Sequence, residues 1–285
     1  MLAITYDVAT GKEIFRALCK NEKGYLWPIG ATHEGNEIIV YGEYFNYKDK
    51  QKQKINYKKK IGFYIQVFDE AGNLKRENFS VWEKDVAQFI HVNSEFKMDN
   101  NASVIIHKFI NTSDGKSYAI AEQYKKNPSL GIGMLIGTAA AKFSIYNMMV
   151  FEFGNDMKLS DARIFEKPKS NIILPRGFGI LSSAALGYYG KSAGWFDYVF
   201  TTQPADKSTF GSVYVCHNKN EYSNKNCTVG AIALNKEQQL VNTKVDLMTT
   251  PTEFFALPAK PGYIAVFEYF EKTLTGNFHL EKLDL

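Results

Sequence analysis

VFDEAGNLKRENF, residues 67 to 79, carries an apolar strand end, a polar reversal at Ala71-Gly72-Asn73, then Leu74 and Phe79 on the way back. Glycine and asparagine tolerate the positive backbone angles of a tight turn, so the stretch reads as a β-hairpin. The same design recurs in VFEFGNDMKLSDARI (150 to 164), AIALNKEQQLVNTKV (231 to 245) and VFEYFEKTLTGNF (266 to 278). TYDVATGKEIF (5 to 15) adds a fifth hairpin with Thr10-Gly11-Lys12 at its tip. Leu74, Leu159, Leu240 and Leu274 stand 85, 81 and 34 residues apart, so the unit carries insertions.

Around these hairpins, apolar residues alternate in IIVYGEYF (38 to 45), GFYIQVF (62 to 68), SVIIHKFI (103 to 110), SYAIAEQY (117 to 124), NMMVFEF (147 to 153), GSVYVC (211 to 216) and GYIAVFEYF (262 to 270). A period of two with β-branched and aromatic content predicts strands. The one helix candidate is GTAAAKFSIYNM, from Gly137 to Met148. About four strands per unit is the content of a propeller blade. The expected fold is all-β and propeller-like, with about five blades of mostly antiparallel four-stranded sheets. One domain spans residues 1–285, divided into a partial unit 1–20 and units near 25–81, 82–167, 170–247 and 252–285. Either the first hairpin and the short last unit complete one blade together, or the N-terminal unit lacks a preceding segment. A β-sandwich or solenoid predicts the same alternation.

The composition of the 285 residues, 45% hydrophobic and 22% charged, excludes disordered, collagen-like and coiled-coil classes. Aromatic residues at 14% suit half-buried pleated surfaces. The net charge of +4 is local: KDKQKQKINYKKK, from Lys48 to Lys60, holds seven lysines and one aspartate, which leaves 4 − 6 = −2 elsewhere. A nucleic-acid groove uses arginine and stacking aromatics, whereas this run has neither beyond Tyr57, so no nucleic-acid partner is expected. It reads as a solvated hairpin tip, with contact to an anionic surface as the alternative.

Cys19, Cys216 and Cys227 are too few for a disulfide scaffold and read as buried thiols. Cys216 and Cys227 bracket a polar segment, and a loop-closing disulfide is the alternative in an exported protein. The first residues lack a basic leader, so the chain reads as cytoplasmic or as lacking its natural beginning. The longest uncharged apolar part, Asn127 to Ala141, has 15 residues, short of the ~20 that a spanning helix needs, so no membrane span is expected.

YDVATGKE (6 to 13), YGEYF (41 to 45), VFDEAGNL (67 to 74), WEKD (82 to 85), AEQYKK (121 to 126), IFEKPKSNIILP (164 to 175) and GWFDYVF (194 to 200) together resemble an uncharacterised family of Bacteroidota proteins with propeller-like repeats. The resemblance covers nearly the whole chain and implies export to the periplasm or cell surface. It carries over no catalytic residue.

Several patterns invite chemistry. Ala185 to Ser192 fits a loosened phosphate-loop spacing, but Tyr188 and Tyr189 crowd the loop and the parallel α/β context is missing. Gly190-Lys191-Ser192-Ala193-Gly194 has nucleophile-elbow spacing without the elbow's frame, so it reads as a glycine-rich loop between strands. Gly131, Gly133 and Gly137 miss the dinucleotide fingerprint by one position. The five histidines show no metal-binding spacing, and His107, within an apolar run, reads as a satisfied structural histidine. No metal and no cofactor are expected. Asp69, Glu70, Glu83, Asp85, Glu268 and Glu271 are the carboxylates that separate blades could bring together, although Glu268 and Glu271 read as turn and surface residues.

Tyr188, Tyr189, Trp195 and Tyr198 with Asp197 form the candidate ligand site, because aromatic plates beside a carboxylate suit sugars and proteins. Core packing is the alternative for the same residues. The expected function is a binding or scaffold protein that takes a protein or glycan through loops on one face. The rival is a carbohydrate-active or peptide-bond hydrolase with acidic residues from different blades.

Overall fold

The computed structural model describes residues 2–19, 21, 24–49, 54–93, 98, 101–127, 141–175, 177–216, 228–246, 253–283 and 285. The chain is all-β, with one α-helix among the described residues. Among the described residues, five antiparallel sheets are built from strands taken in chain order. The first pairs β1 (Leu2–Tyr6) with β2 (Glu13–Leu18). The second runs β3 (Tyr25–Glu34), β4 (Glu37–Asp49), β5 (Lys54–Asp69), β6 (Leu74–Val81). The third runs β7 (Ser103–Asn111), β8 (Ser117–Asn127), β9 (Lys142–Phe153), β10 (Leu159–Phe165), and β11 (Ser170–Ile173) joins it beside β9. The fourth runs β12 (Tyr198–Thr202), β13 (Phe210–Cys216), β14 (Thr228–Leu234), β15 (Leu240–Asp246). The last holds β16 (Glu253–Pro258), β17 (Tyr263–Phe270) and β18 (Thr275–Lys282).

All five predicted hairpins are present, as β1–β2, β5–β6, β9–β10, β14–β15 and β17–β18. Their turns work by local chemistry: Gly72 takes φ +85°, and the Asp69 carboxylate accepts the Asn73 backbone N–H at 2.8 Å.

Alternation gives each sheet two faces, and successive sheets bury them against each other. Phe15 and Ala17 of β2 meet Val40, Tyr64 and Phe68 of the second sheet. The other face of that sheet, with Ile39, Phe63 and Ile65, meets Ile106, Ala119 and Phe151 of the third. Ile120, Met148 and Val150 turn to Phe210, Tyr214 and Ile232 of the fourth, whose Val213 and Val229 reach Ile264 and Val266 of the last. Burial of each large apolar side chain contributes roughly 1.5–3 kcal/mol, so these four seams hold the sheets in sequence. The largest is closed by Trp82, with Phe63 and Phe151 packed edge-on at 4.6 and 5.9 Å between ring centres.

Three expectations are corrected. Lys142 to Met148 of the helix candidate lie in β9, because Phe143 and Ile145 are needed in the buried sheet; residues 137–140 lie outside the described residues. The loop expected near Gly190 is instead α1 (Ser183–Ser192). Glu268 is no surface residue: it sits on β17 only 4% exposed.

Candidate functional site

The helix α1 starts because Ser182 caps it, its hydroxyl accepting the Ala185 N–H at 3.2 Å, and Ala184-Ala185-Leu186 propagate it well. Its glycines cost helix stability but allow close approach. Gly187 sits against Tyr124, where a Cβ would fall 2.4 Å from the phenol oxygen. Lys191 ties the last turn to β7 by donating to the Ile106 carbonyl at 2.8 Å. With its N–H groups inside a helix, the Ala185–Ser192 pattern forms no phosphate cradle, and Ser192 ends the helix rather than topping a strand.

Beyond the helix the chain turns at Gly194, with φ +66°, and enters β12 through Trp195, Phe196 and Asp197. A cleft of about 300 Å³ opens there, lined by Ser170 and Asn171 of β11, Trp195, Asp197, Tyr198 and Val215. Asp197 is 3% exposed, and its Oδ2 accepts Lys167 Nζ at 2.5 Å and Ser170 Oγ at 2.7 Å. Lys167 reaches this place because the edge of β9 is shared: β10 pairs with Met148–Phe153 and β11 with Lys142–Ile145. The chain between them, with Pro168 unable to donate, carries Lys167 inward.

Lys167 also lies 3.3 Å from Glu122 Oε1, and Glu122 Oε2 accepts the Tyr198 N–H at 3.0 Å. His107 follows, its Nε2 3.0 Å from the same carboxylate and its ring stacked on Tyr198 at 4.8 Å. Irregular pairing gathers these groups. His107 falls at a register shift in β7, β8 shifts just after Glu122, and β12 shifts just after Tyr198. Neither His107 Nε2 nor Glu122 Oε1 makes a well-aligned hydrogen bond among the described residues, so both are held by close contacts with charged groups. His107 is buried within its strand, with the Glu122 carboxylate 3.0 Å from Nε2.

One lysine thus stands between two buried carboxylates. Burial raises the carboxyl of Glu122, but Lys167 and His107 overcome it and hold the group below the ordinary range. Burial, reinforced by the charge of Glu122, outweighs the pull of Lys167 at Asp197, whose pKa is pushed up to about 6. Burial pushes the imidazole of His107 down and the thiol of Cys216 up, so both are neutral at pH 7. Cys216 is a free buried thiol; Cys227 and its loop lie outside the described residues.

The structure divides the predicted aromatic set. Trp195, Asp197 and Tyr198 share the cleft. Tyr189 is 46% exposed and packs on Trp195 and Phe178 at 5.0 and 4.8 Å. Tyr188 points the other way, stacking on Trp27 at 5.0 Å and donating to Glu43 Oε2. Glu43, 2% exposed, also accepts Lys60 Nζ at 2.8 Å. Lys60 is therefore not part of a solvated tip: it is held in the interior, also donating to the Val104 carbonyl. The residue types missed by sequence reasoning are His107, Glu122 and Lys167 as a group. Their signal was present: His107 and Glu122 interrupt otherwise apolar strands. No group of three or more metal-ligating side chains occurs among the described residues.

Fold and cleft together define an all-β protein of stacked antiparallel sheets whose charged interior borders an open cleft. The chain belongs to the family of unknown function DUF6770, whose model matches residues 1–284. No curated protein matches it. Among solved structures it is similar to an endo-arabinase from Bacteroides thetaiotaomicron VPI-5482, at 9% identity and TM-score 0.30, covering 96% of this chain and 82% of that one. A member of the DUF4221 family from Bacteroides vulgatus ATCC 8482 matches at 9% identity and TM-score 0.21, covering 99% of each chain. An exo-beta-1,3-galactanase from Clostridium thermocellum matches at 8% identity and TM-score 0.20, covering 100% of this chain and 63% of that one. At these scores the likenesses carry no argument about activity. No helix among the described residues is long and apolar enough to cross a membrane.

Proposed function

We propose that this chain is a propeller-type binding protein that takes a glycan or protein ligand at the Trp195–Asn171 cleft. Two features support the propeller reading. Successive sheets pack face to face, and the first strands of neighbouring sheets lie side by side, β3 on β7 and β12 on β16. In this reading the sheets are blades, about five in number, and the cleft opens on one face of the ring. Export to the periplasm or cell surface belongs to the same reading and rests on the family resemblance.

The observation that carries binding over hydrolysis is the engagement of the interior carboxylates. Glu43 holds Lys60, Glu122 and Asp197 share Lys167, and Asp197 is the one carboxylate among the described residues lining the cleft. Glycoside hydrolysis by a carboxylate pair needs two such groups flanking one bond. An indole beside Asn171 and Ser170 instead offers flat apolar area and hydrogen bonds, which suits a sugar ring. Asp197 alone supports a second, hydrolytic reading, since a carboxyl near pKa 6 in a cleft is poised for proton transfer.

A glycan array with the parent and Trp195→Ala decides the first reading. Loss of a parent signal in the variant is expected. Binding that survives the substitution removes the cleft from the reading. A glycosidase and peptidase panel decides the second: turnover abolished by Asp197→Asn establishes a hydrolase and defeats the binding reading.

A further inference from the structure

A second cleft, of about 220 Å³, lies where three first strands meet. Thr32 and Glu34 of β3, Lys108 to Asn111 of β7, and Thr201 of β12 with Gln203 beyond it line the space, and Lys207 closes it. Its groups differ in how much they are already engaged. Glu34 is clamped, accepting Lys207 Nζ at 2.8 Å and Asn111 Nδ2 at 3.2 Å. Partial burial raises its carboxyl, but these partners overcome it and hold it below the ordinary range, so Glu34 is ionised at pH 7. Gln203 is fixed by donating to the Asn111 carbonyl at 2.8 Å. Lys108, by contrast, is exposed into this space and makes no hydrogen bond or ion pair with the described residues.

Register explains why a lysine stands here in an otherwise apolar strand. The shift at His107 breaks the strict alternation of β7: the imidazole enters the ion cluster, and Lys108, paired with Ile120, is left exposed at the cleft. With Glu34 and Lys207 cancelling, the cleft carries one net positive charge, and the Thr32 hydroxyl flanks it.

We propose that this cleft binds one carboxylate-bearing sugar unit, a uronic acid, with Lys108 on the carboxylate and Thr32 and Glu34 on ring hydroxyls. Ammonium, hydroxyl and ionised carboxylate together match a ligand that presents an anion and hydroxyl donors at once. Bare anions satisfy only Lys108. The volume lies below the usual range of about 300–1,000 Å³ for larger ligands, which limits the occupant to a single small unit. The proposal does not rest on the Trp195 cleft.

Isothermal titration with glucuronate and galacturonate, against glucose, galactose and inorganic phosphate, tests it. The uronates are expected to bind at least about tenfold more tightly than the neutral sugars, the difference expected of one charge-assisted hydrogen bond. Lys108→Met is expected to abolish that preference, and its exposed position leaves folding intact, checked by an unchanged melting temperature. Trp195→Ala is expected to leave uronate binding unchanged, which separates this site from the other cleft. Equal binding of neutral sugars, tighter binding of phosphate than of uronate, or undiminished uronate preference in Lys108→Met overturns the proposal.

Discussion

Asp197→Asn isolates the charge conflict at the centre of the molecule. The amide keeps an oxygen for Lys167 and Ser170 but removes the titrating proton. In the parent, the Asp197 pKa rises from 3.8 to about 6 on folding. The folded state therefore binds one more proton than the unfolded chain between those values, and stability falls as pH rises through that window. The displacement of roughly two pH units corresponds to about 3 kcal/mol. Glu122 contributes in the opposite sense, gaining stability above its ordinary pKa, but it is present in both proteins and largely cancels in their difference. Urea unfolding of parent and variant at several pH values from about 4 to about 7 measures that difference directly. The parent's advantage over Asp197→Asn is expected to shrink by about 3 kcal/mol across the series. A difference that stays flat, or that grows with pH, refutes the assignment, because growth would mean that Lys167 stabilises an ordinarily ionised aspartate.

Two further substitutions probe the interior. Lys60→Met leaves Glu43 buried with its phenol partner but without its cation, and a loss of about 3 kcal/mol is expected in urea unfolding. Adding Glu43→Gln should recover most of that loss; no recovery would show that the methionine itself does not fit. Gly187→Ala should destabilise by about 1–3 kcal/mol in thermal unfolding although alanine favours helices, because its Cβ meets the buried Tyr124 ring. A raised melting temperature would show that α1 can lift off the sheet.

The hairpins were legible because a tight turn is decided by neighbours in sequence, as Gly72, Asn73 and Asp69 illustrate. Helices were read less well. Alanines in 137–148 favoured a helix locally, but Phe143 and Ile145 are fixed by burial in a sheet. The true helix hid behind Gly187 and Gly190, and its signals were Ser182 as cap and Lys191 in the last turn. Trp195, Asp197 and Tyr198 were legible as one cleft because they are adjacent in the chain. His107, Glu122 and Lys167 were not, since strand irregularities distant in sequence bring them together. Lys108 went unremarked for the same reason: its side is set by a register shift that composition does not reveal.

Every described ladder except β9–β11 joins strands that are neighbours in the chain. A nascent polypeptide can therefore zip each sheet as it leaves the ribosome, with short loops to close and little waiting for distant partners. The exception matters most for timing: Lys167 stays without Asp197 until synthesis has passed β11 and α1. Asp197 emerges after the strands of the third sheet and before β12 to β15, so the ion pair at Lys167 can anchor the fourth sheet's first strand before the rest of that sheet is made.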